Sequence, residues 1–199
     1  MAVFSTDLSQ TVEVLLERKN YNSVKDILST VNPADIAVIF RDQPAQRLLM
    51  LFRLLPKETA ADVFVEMEPV LQEQLINAFS DKELADIVNE MYADDAADLV
   101  EEMPASVVKR ILKQASPDVR RDINELLKYP EDSAGSIMTP EFADLHSSMT
   151  AAEALDHIRL TGVDKETIDI CYVIEKRRLI GLVSLRTLVL ANARAVVSD

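Results

Sequence analysis

"DKELADIVNEMYADDAADLVEEM", residues 81–103, decides the fold. Its apolar residues recur at three- and four-residue spacings, the period of an amphipathic helix. The pattern breaks at Tyr92–Ala93, so the stretch predicts two short helices rather than one long one. The second carries its apolar stripe on Ala96, Leu99, Val100 and Met103. A helix pair of this size cannot bury such stripes alone and has to stack on neighbours.

Working outward, the same unit repeats. Segments beginning at Pro33, Pro56, Asp81 and Pro104 lie 23, 25 and 23 residues apart. Each opens with Pro or Asp, residues suited to the first turn of a helix through fixed φ or a favourable contact with the helix dipole. Each breaks near its middle, at Gln43–Pro44, Glu68–Pro69, Tyr92–Ala93 and Ser116–Pro117. Two further helices, "LSQTVEVLLERK" and "NSVKDILSTV", precede the repeats. The expectation is a mainly α fold, a right- or left-handed superhelix of short helix pairs. At "KYPEDSAGSIMTPEF", residues 128–142, Pro130, Gly135 and Pro140 interrupt helix. Beyond them the pattern predicts a strand near Phe142–Leu145 and a helix capped by Thr150. The strands "TIDICYVI" and "LIGLVSL" follow, joined by "EKRR", and a last helix runs from Ser184 to about Asn192. That is a small α/β unit, β-α-β-β-α, whose three strands leave one sheet face open to pairing. The predicted divisions are 1–129, a linker at 130–137, and 138–199.

The formal net charge of −13 argues against non-specific binding to nucleic acid or an anionic membrane. Small cations and basic protein surfaces are the complementary partners. The single cysteine, Cys171, lies in an apolar run and predicts a buried, inert thiol in a reducing compartment. No secretory signal opens the chain, and no apolar run reaches the roughly 18–20 residues that cross a bilayer.

Between residues 81 and 102, nine carboxylates face one basic residue, Lys82. Asp94 and Asp98 are i,i+4 neighbours, and Asp95 and Asp98 are i,i+3. Asp94 and Asp95 suit the positive end of their helix. Asp98, Glu101 and Glu102 lie beyond that end and repel one another. Either water alone screens this face or a cation sits on it. The nearest basic cluster, Lys109–Arg110, belongs to the next repeat. Mg2+ typically keeps several waters and takes one or two protein carboxylates, which an Asp pair can supply. His146, His157 and Cys171 form no zinc set, and there is no phosphate loop or nucleophile elbow. A non-enzymatic role is expected.

"SAGSIMTPEF", leading into the α/β unit, and "LIGLVSLRTLVLA", closing it, resemble the first CBS motif of MgtE-type magnesium transporters. "LLPKETAADVF" and "DDAADLVEEMP" resemble the amino-terminal helical domain of the same family. The resemblance implies the cytosolic, Mg2+-sensing region of a homodimeric membrane transporter, lying at the cytoplasmic face of the membrane. Low-affinity regulatory Mg2+ would bridge acidic faces there and hold a closed state. It places metal positions on Asp94, Asp95 and Asp98, on Asp62 in "AADVF", and on a backbone oxygen at Ser136, where the family often has Gly. It also implies a second CBS motif and a pore, neither of which follows "ARAVVSD". Thr187 stands where nucleotide-binding CBS units carry an Asp for the ribose. Two other readings fit the same residues: a helical interaction scaffold resembling motor-switch arrays, and a soluble CBS regulatory module.

Overall fold

The structure, a computed structural model, describes residues 2–130 and 132–198, with only the backbone described for 2–7. Met1, Glu131 and Asp199 lie outside it, Glu131 being one position of the expected linker. The chain forms two compact units that divide between Ser136 and Ile137.

The first unit is helical. Helices α1 (Ala2–Glu17) and α2 (Tyr21–Leu28) precede four pairs: α3 (Pro33–Arg41) with α4 (Ala45–Phe52), α5 (Lys57–Val65) with α6 (Pro69–Ala78), α7 (Asp81–Val88) with α8 (Ala93–Glu102), and α9 (Ala105–Gln114) with α10 (Pro117–Leu126). The mid-repeat breaks fall where the sequence places them, with Pro44, Glu68, Tyr92 and Ser116 as N-caps. The prolines take two roles. Pro33, Pro69 and Pro117 open the first turn, whereas Pro56 and Pro104 sit one place earlier, at the N-cap, with φ of −56° and −57°. The ring-fixed φ suits the extended cap backbone as well as the first helical residue, so spacing alone does not separate the two. Side-chain caps complete other starts: Ser80 and Glu83 form a capping box at α7.

The odd-numbered helices stack in a row, α3 on α5, α5 on α7, α7 on α9; in the other row α4 packs on α6 and α8 on α10. Their stripes meet in one core that includes Phe40, Leu51, Phe64, Leu75, Leu84 and Ile111, each at most 1% exposed. Phe52, Phe64 and Phe79 form an aromatic trio with ring centroids 5.4–6.4 Å apart. After α10, Gly135 in the 3-10 turn Ala134–Ile137 lies against the Tyr129 ring, where a Cβ would overlap it. Close approach, more than helix breaking, is what requires glycine there.

In the second unit β1 (Phe142–His146) pairs in parallel with β2 (Thr167–Glu175) through the crossover helix α11 (Ala151–Thr161), and β3 (Arg178–Ser184) adds antiparallel to β2. Thr150 and Glu153 cap α11 reciprocally. The last helix, α12 (Leu185–Leu190), is shorter than its sequence pattern: Ser184 accepts the Thr187 N–H at 3.0 Å as its N-cap. Cys171 is fully buried, and burial pushes its thiol pKa up, away from reactivity. Ile170, Leu179, Ile180, Leu182, Val189 and Leu190 are exposed, the open apolar surface expected of a three-stranded sheet. Among the described residues no helix is long and apolar enough to cross a membrane.

Candidate functional site

Adjacent helices α7 and α8 are both acidic, and the structure treats their charges differently. On α7 every acid has a cationic partner from another helix or loop. Glu83 Oε1 accepts from Arg53 Nε at 2.7 Å, and Lys57 Nζ reaches Asp86 at 2.6 Å. Arg110 Nη2 lies 3.2 Å from Asp81 and also donates to the Phe79 carbonyl at 2.6 Å. The Arg53 guanidinium and the Ser80 N–H together lower the Glu83 carboxyl to about 2. Half of the basic pair in the following repeat, Arg110, therefore neutralises α7 and not α8.

Helix α8 starts without a side-chain cap, at Tyr92, and packs through Ala93, Ala97 and Leu126 onto α10. Asp94 and Asp95 are half-buried in its first turn, with the Asp94 Oδ1 enclosed; Asp98, Glu101 and Glu102 are exposed. None of these last three forms an ion pair with a described basic residue. Helical periodicity puts Asp94, Asp98 and Glu101 along one stripe, and Asp95, Asp98 and Glu102 along an adjoining one. Helix α6 packs less closely on α8 than on α4, and α8 less closely on α6 than on α10. A cleft of about 270 Å³ is lined by Asp95, Asp98 and Glu102 together with Met67, Gln72 and Met91.

Gln72 is a residue the sequence pattern does not single out. It occupies the buried stripe of α6 at 5% exposure and donates through Nε2 to the Phe64 carbonyl at 2.8 Å. Its Oε1 is enclosed and has no hydrogen-bond donor among the described residues. A polar residue one turn before Leu75 and Ile76, inside an apolar stripe, is the signal that marks it.

The structure brings together Asp94, Asp95 and Asp98 of the expected metal positions. Asp62 lies on α5, is exposed, and is not among the residues lining the cleft. Its carboxyl is pushed up by desolvation and, next, by Glu58 one turn earlier. Ser136 sits in the 3-10 turn, its Oγ donating to the Ser133 carbonyl at 2.9 Å. Among the described residues no three His, Cys, Asp or Glu side chains converge as a metal cage. The donor set fits a hydrated hard cation held by one or two carboxylates, and the orphaned Gln72 acceptor beside the cleft fits a water donor; it does not fit a closed site.

Comparison with known proteins agrees with this architecture. The chain is 30% identical over 197 residues to the magnesium transporter MgtE of Thermus thermophilus and 26% identical over 194 residues to that of Bacillus subtilis. It spans 44% and 43% of their lengths, so less than half of each relative is represented. A crystal structure of the cytosolic domain of the Mg2+ channel MgtE in complex with ATP superposes with a TM-score of 0.85 at 29% identity. That match covers 96% of this chain and 78% of the other. The soluble part of a magnesium transporter, at 23% identity, shares the fold with a TM-score of 0.90, covering 98% of this chain and 77% of that one. The family model described as the MgtE intracellular N domain matches residues 31–132, the superhelix from its first repeat through α10. Over that half of its length, and with the fold to match, the chain belongs to the MgtE family.

Proposed function

We propose that the chain is the regulatory region of a magnesium transporter at the cytoplasmic face of the membrane, and that Mg2+ bridges its α8 face to an acidic surface of another domain or subunit. The carrying observation is the contrast between the neutralised acids of α7 and Asp98, Glu101 and Glu102, which have no ion pair among the described residues. Asp94 and Asp98 would supply carboxylate ligands, Asp95 and Asp62 outer charge, and the Ser136 carbonyl a further oxygen. Without divalent ions the acidic faces repel and the assembly loosens; with them the compact, closed state is favoured. The ion acts only through its differential affinity for the two states, so several weak sites acting together make the switch. The exposed apolar face of the α/β unit fits the first half of a CBS pair, whose second motif, pore and dimer partner would lie in the remainder of a full-length transporter.

Nucleotide binding is the subordinate reading. The solved relative is an ATP complex, and here a cavity of about 560 Å³ is lined by Asp169, Ser184 and Arg186. The hydroxyls of Ser184 and Thr187, 2.8 Å apart, are already spent on each other. The test is protease protection titrated with MgCl2 against KCl at matched ionic strength, on wild type and Asp94→Ala/Asp98→Ala. Protection of wild type alone, by magnesium alone, supports the reading; equal protection by potassium reduces it to ionic screening. A basic protein partner that binds as well in EDTA favours an interaction scaffold instead.

A further inference from the structure

A second surface of the superhelix has the opposite charge. Helix α9 buries Val107 and Ile111 toward its neighbours, and Arg110 on the same side reaches Asp81 on α7. On its other side Val108 and Leu112 are only partly buried, and the exposed Lys109 and Lys113 stand one turn apart beside them. With Met103, Ala105 and Arg120 from α10 they line an open groove of about 710 Å³. Arg120 lies over the end of α9, donating to the Leu112 carbonyl at 3.3 Å. Neither lysine, nor Arg120, ion-pairs with a described carboxylate. In a chain of net charge −13, three such cations around an apolar floor form a distinct patch.

The repeat explains what the groove is shaped for. Within the row, α5 is packed between α3 and α7, and α7 between α5 and α9. Among the described helices of the row α9 has such a neighbour in α7, toward which Arg110 rather than the groove lysines reaches. At the preceding step, cations on the earlier side meet acids on the next helix: Arg53 and Lys57 pair with Glu83 and Asp86 of α7. An end of a solenoid that keeps an apolar stacking face needs a cap.

We propose that the α9–α10 groove is a docking site for an acidic amphipathic helix of a partner protein, which stacks on α9 as the next helix of the row would. Its apolar residues at i, i+3 and i+7 cover Val108 and Leu112, and acids at i+1 and i+5, flanking that stripe, meet Lys109 and Lys113. Charge reading and apolar burial act together, so neither an acidic coil nor a neutral helix substitutes. The interaction needs no divalent ion and is independent of the magnesium reading.

The test uses the whole chain in EDTA and a labelled synthetic helix of about 18 residues, five turns, with that Leu and Glu pattern. Fluorescence anisotropy compares it with a peptide in which every Glu is Gln. The acidic peptide should bind wild type and bind Lys109→Glu/Lys113→Glu at least about tenfold more weakly. Hydrogen exchange on wild type should show new protection confined to residues 103–120, a readout that stands if the double variant fails to fold; Arg120→Glu provides a second, milder variant. The proposal is overturned if the neutral peptide binds as tightly, if no binding is seen at millimolar peptide, or if protection maps elsewhere. Self-association of the chain that disappears in the double variant also overturns it, by assigning the groove to a second copy.

Discussion

Helices α7 and α8 come from one repeat, share one core and are both acidic, yet among the described residues only on α7 is every acid ion-paired to a cation. Its three acids are each met by a cation from another repeat, at 2.6–3.2 Å. On α8, Asp98, Glu101 and Glu102 are exposed with no such partner among the described residues, beside a cleft and an enclosed amide oxygen. Like charges on one face cost a few tenths of a kcal/mol per pair in an isolated helix. A fold able to place Arg53, Lys57 and Arg110 against α7 places none of the described cations against Asp98, Glu101 and Glu102. The difference separates charges that hold the superhelix together from charges available to something outside it.

The two helices should behave alike where they share the core. Leu84→Ala and Leu99→Ala should each cost about 2–5 kcal/mol in urea unfolding, with or without magnesium, since both side chains are buried. A much smaller loss at Leu99 would mean that α8 is not docked as described. Magnesium should then divide them. At ten times its dissociation constant it should stabilise wild type by about 1.4 kcal/mol, and Asp94→Ala/Asp98→Ala should abolish that gain while Asp81→Ala should not. Smaller still is the Glu83 pair. Glu83→Gln keeps the capping-box geometry but loses the ion pair with Arg53, a loss of about 0.5–1 kcal/mol after solvent screening. Because the folded carboxyl titrates near 2 and the free one near 4.5, this contribution is complete above about pH 4.5 and disappears as pH falls toward 2. Acid unfolding of the variant should therefore be shallower than that of wild type. The smallest effect has the opposite sign: Glu101→Gln in EDTA should stabilise by about 0.2–0.5 kcal/mol, as a repulsion is removed. Destabilisation instead would reveal a hidden cationic partner on α8.

The repeat, the helix breaks and the β-α-β-β-α order were legible in the sequence because each rests on local signals: apolar period, proline, capping residues. Even there Pro56 and Pro104 fell at the cap rather than in the first turn, since one φ suits both positions. The crowding of Asp94, Asp95 and Asp98 was also legible, being contained within two turns of one helix. The neutralisation of α7 was not. Arg53–Glu83, Lys57–Asp86 and Arg110–Asp81 join residues 29 or 30 apart, a register set by how one repeat stacks on the next. Gln72 is half legible: its place in the apolar stripe of α6 marks it, but only the packing shows that its side chain is buried with one acceptor unused among the described residues.

The most direct test is paramagnetic broadening of amide NMR signals by substoichiometric Mn2+, which marks even weak divalent sites. The account predicts loss of signal centred on residues 94–102 and around Gln72, reversed by excess MgCl2, with residues 81–86 spared. Broadening spread equally over both helices, or confined to α7, would contradict it.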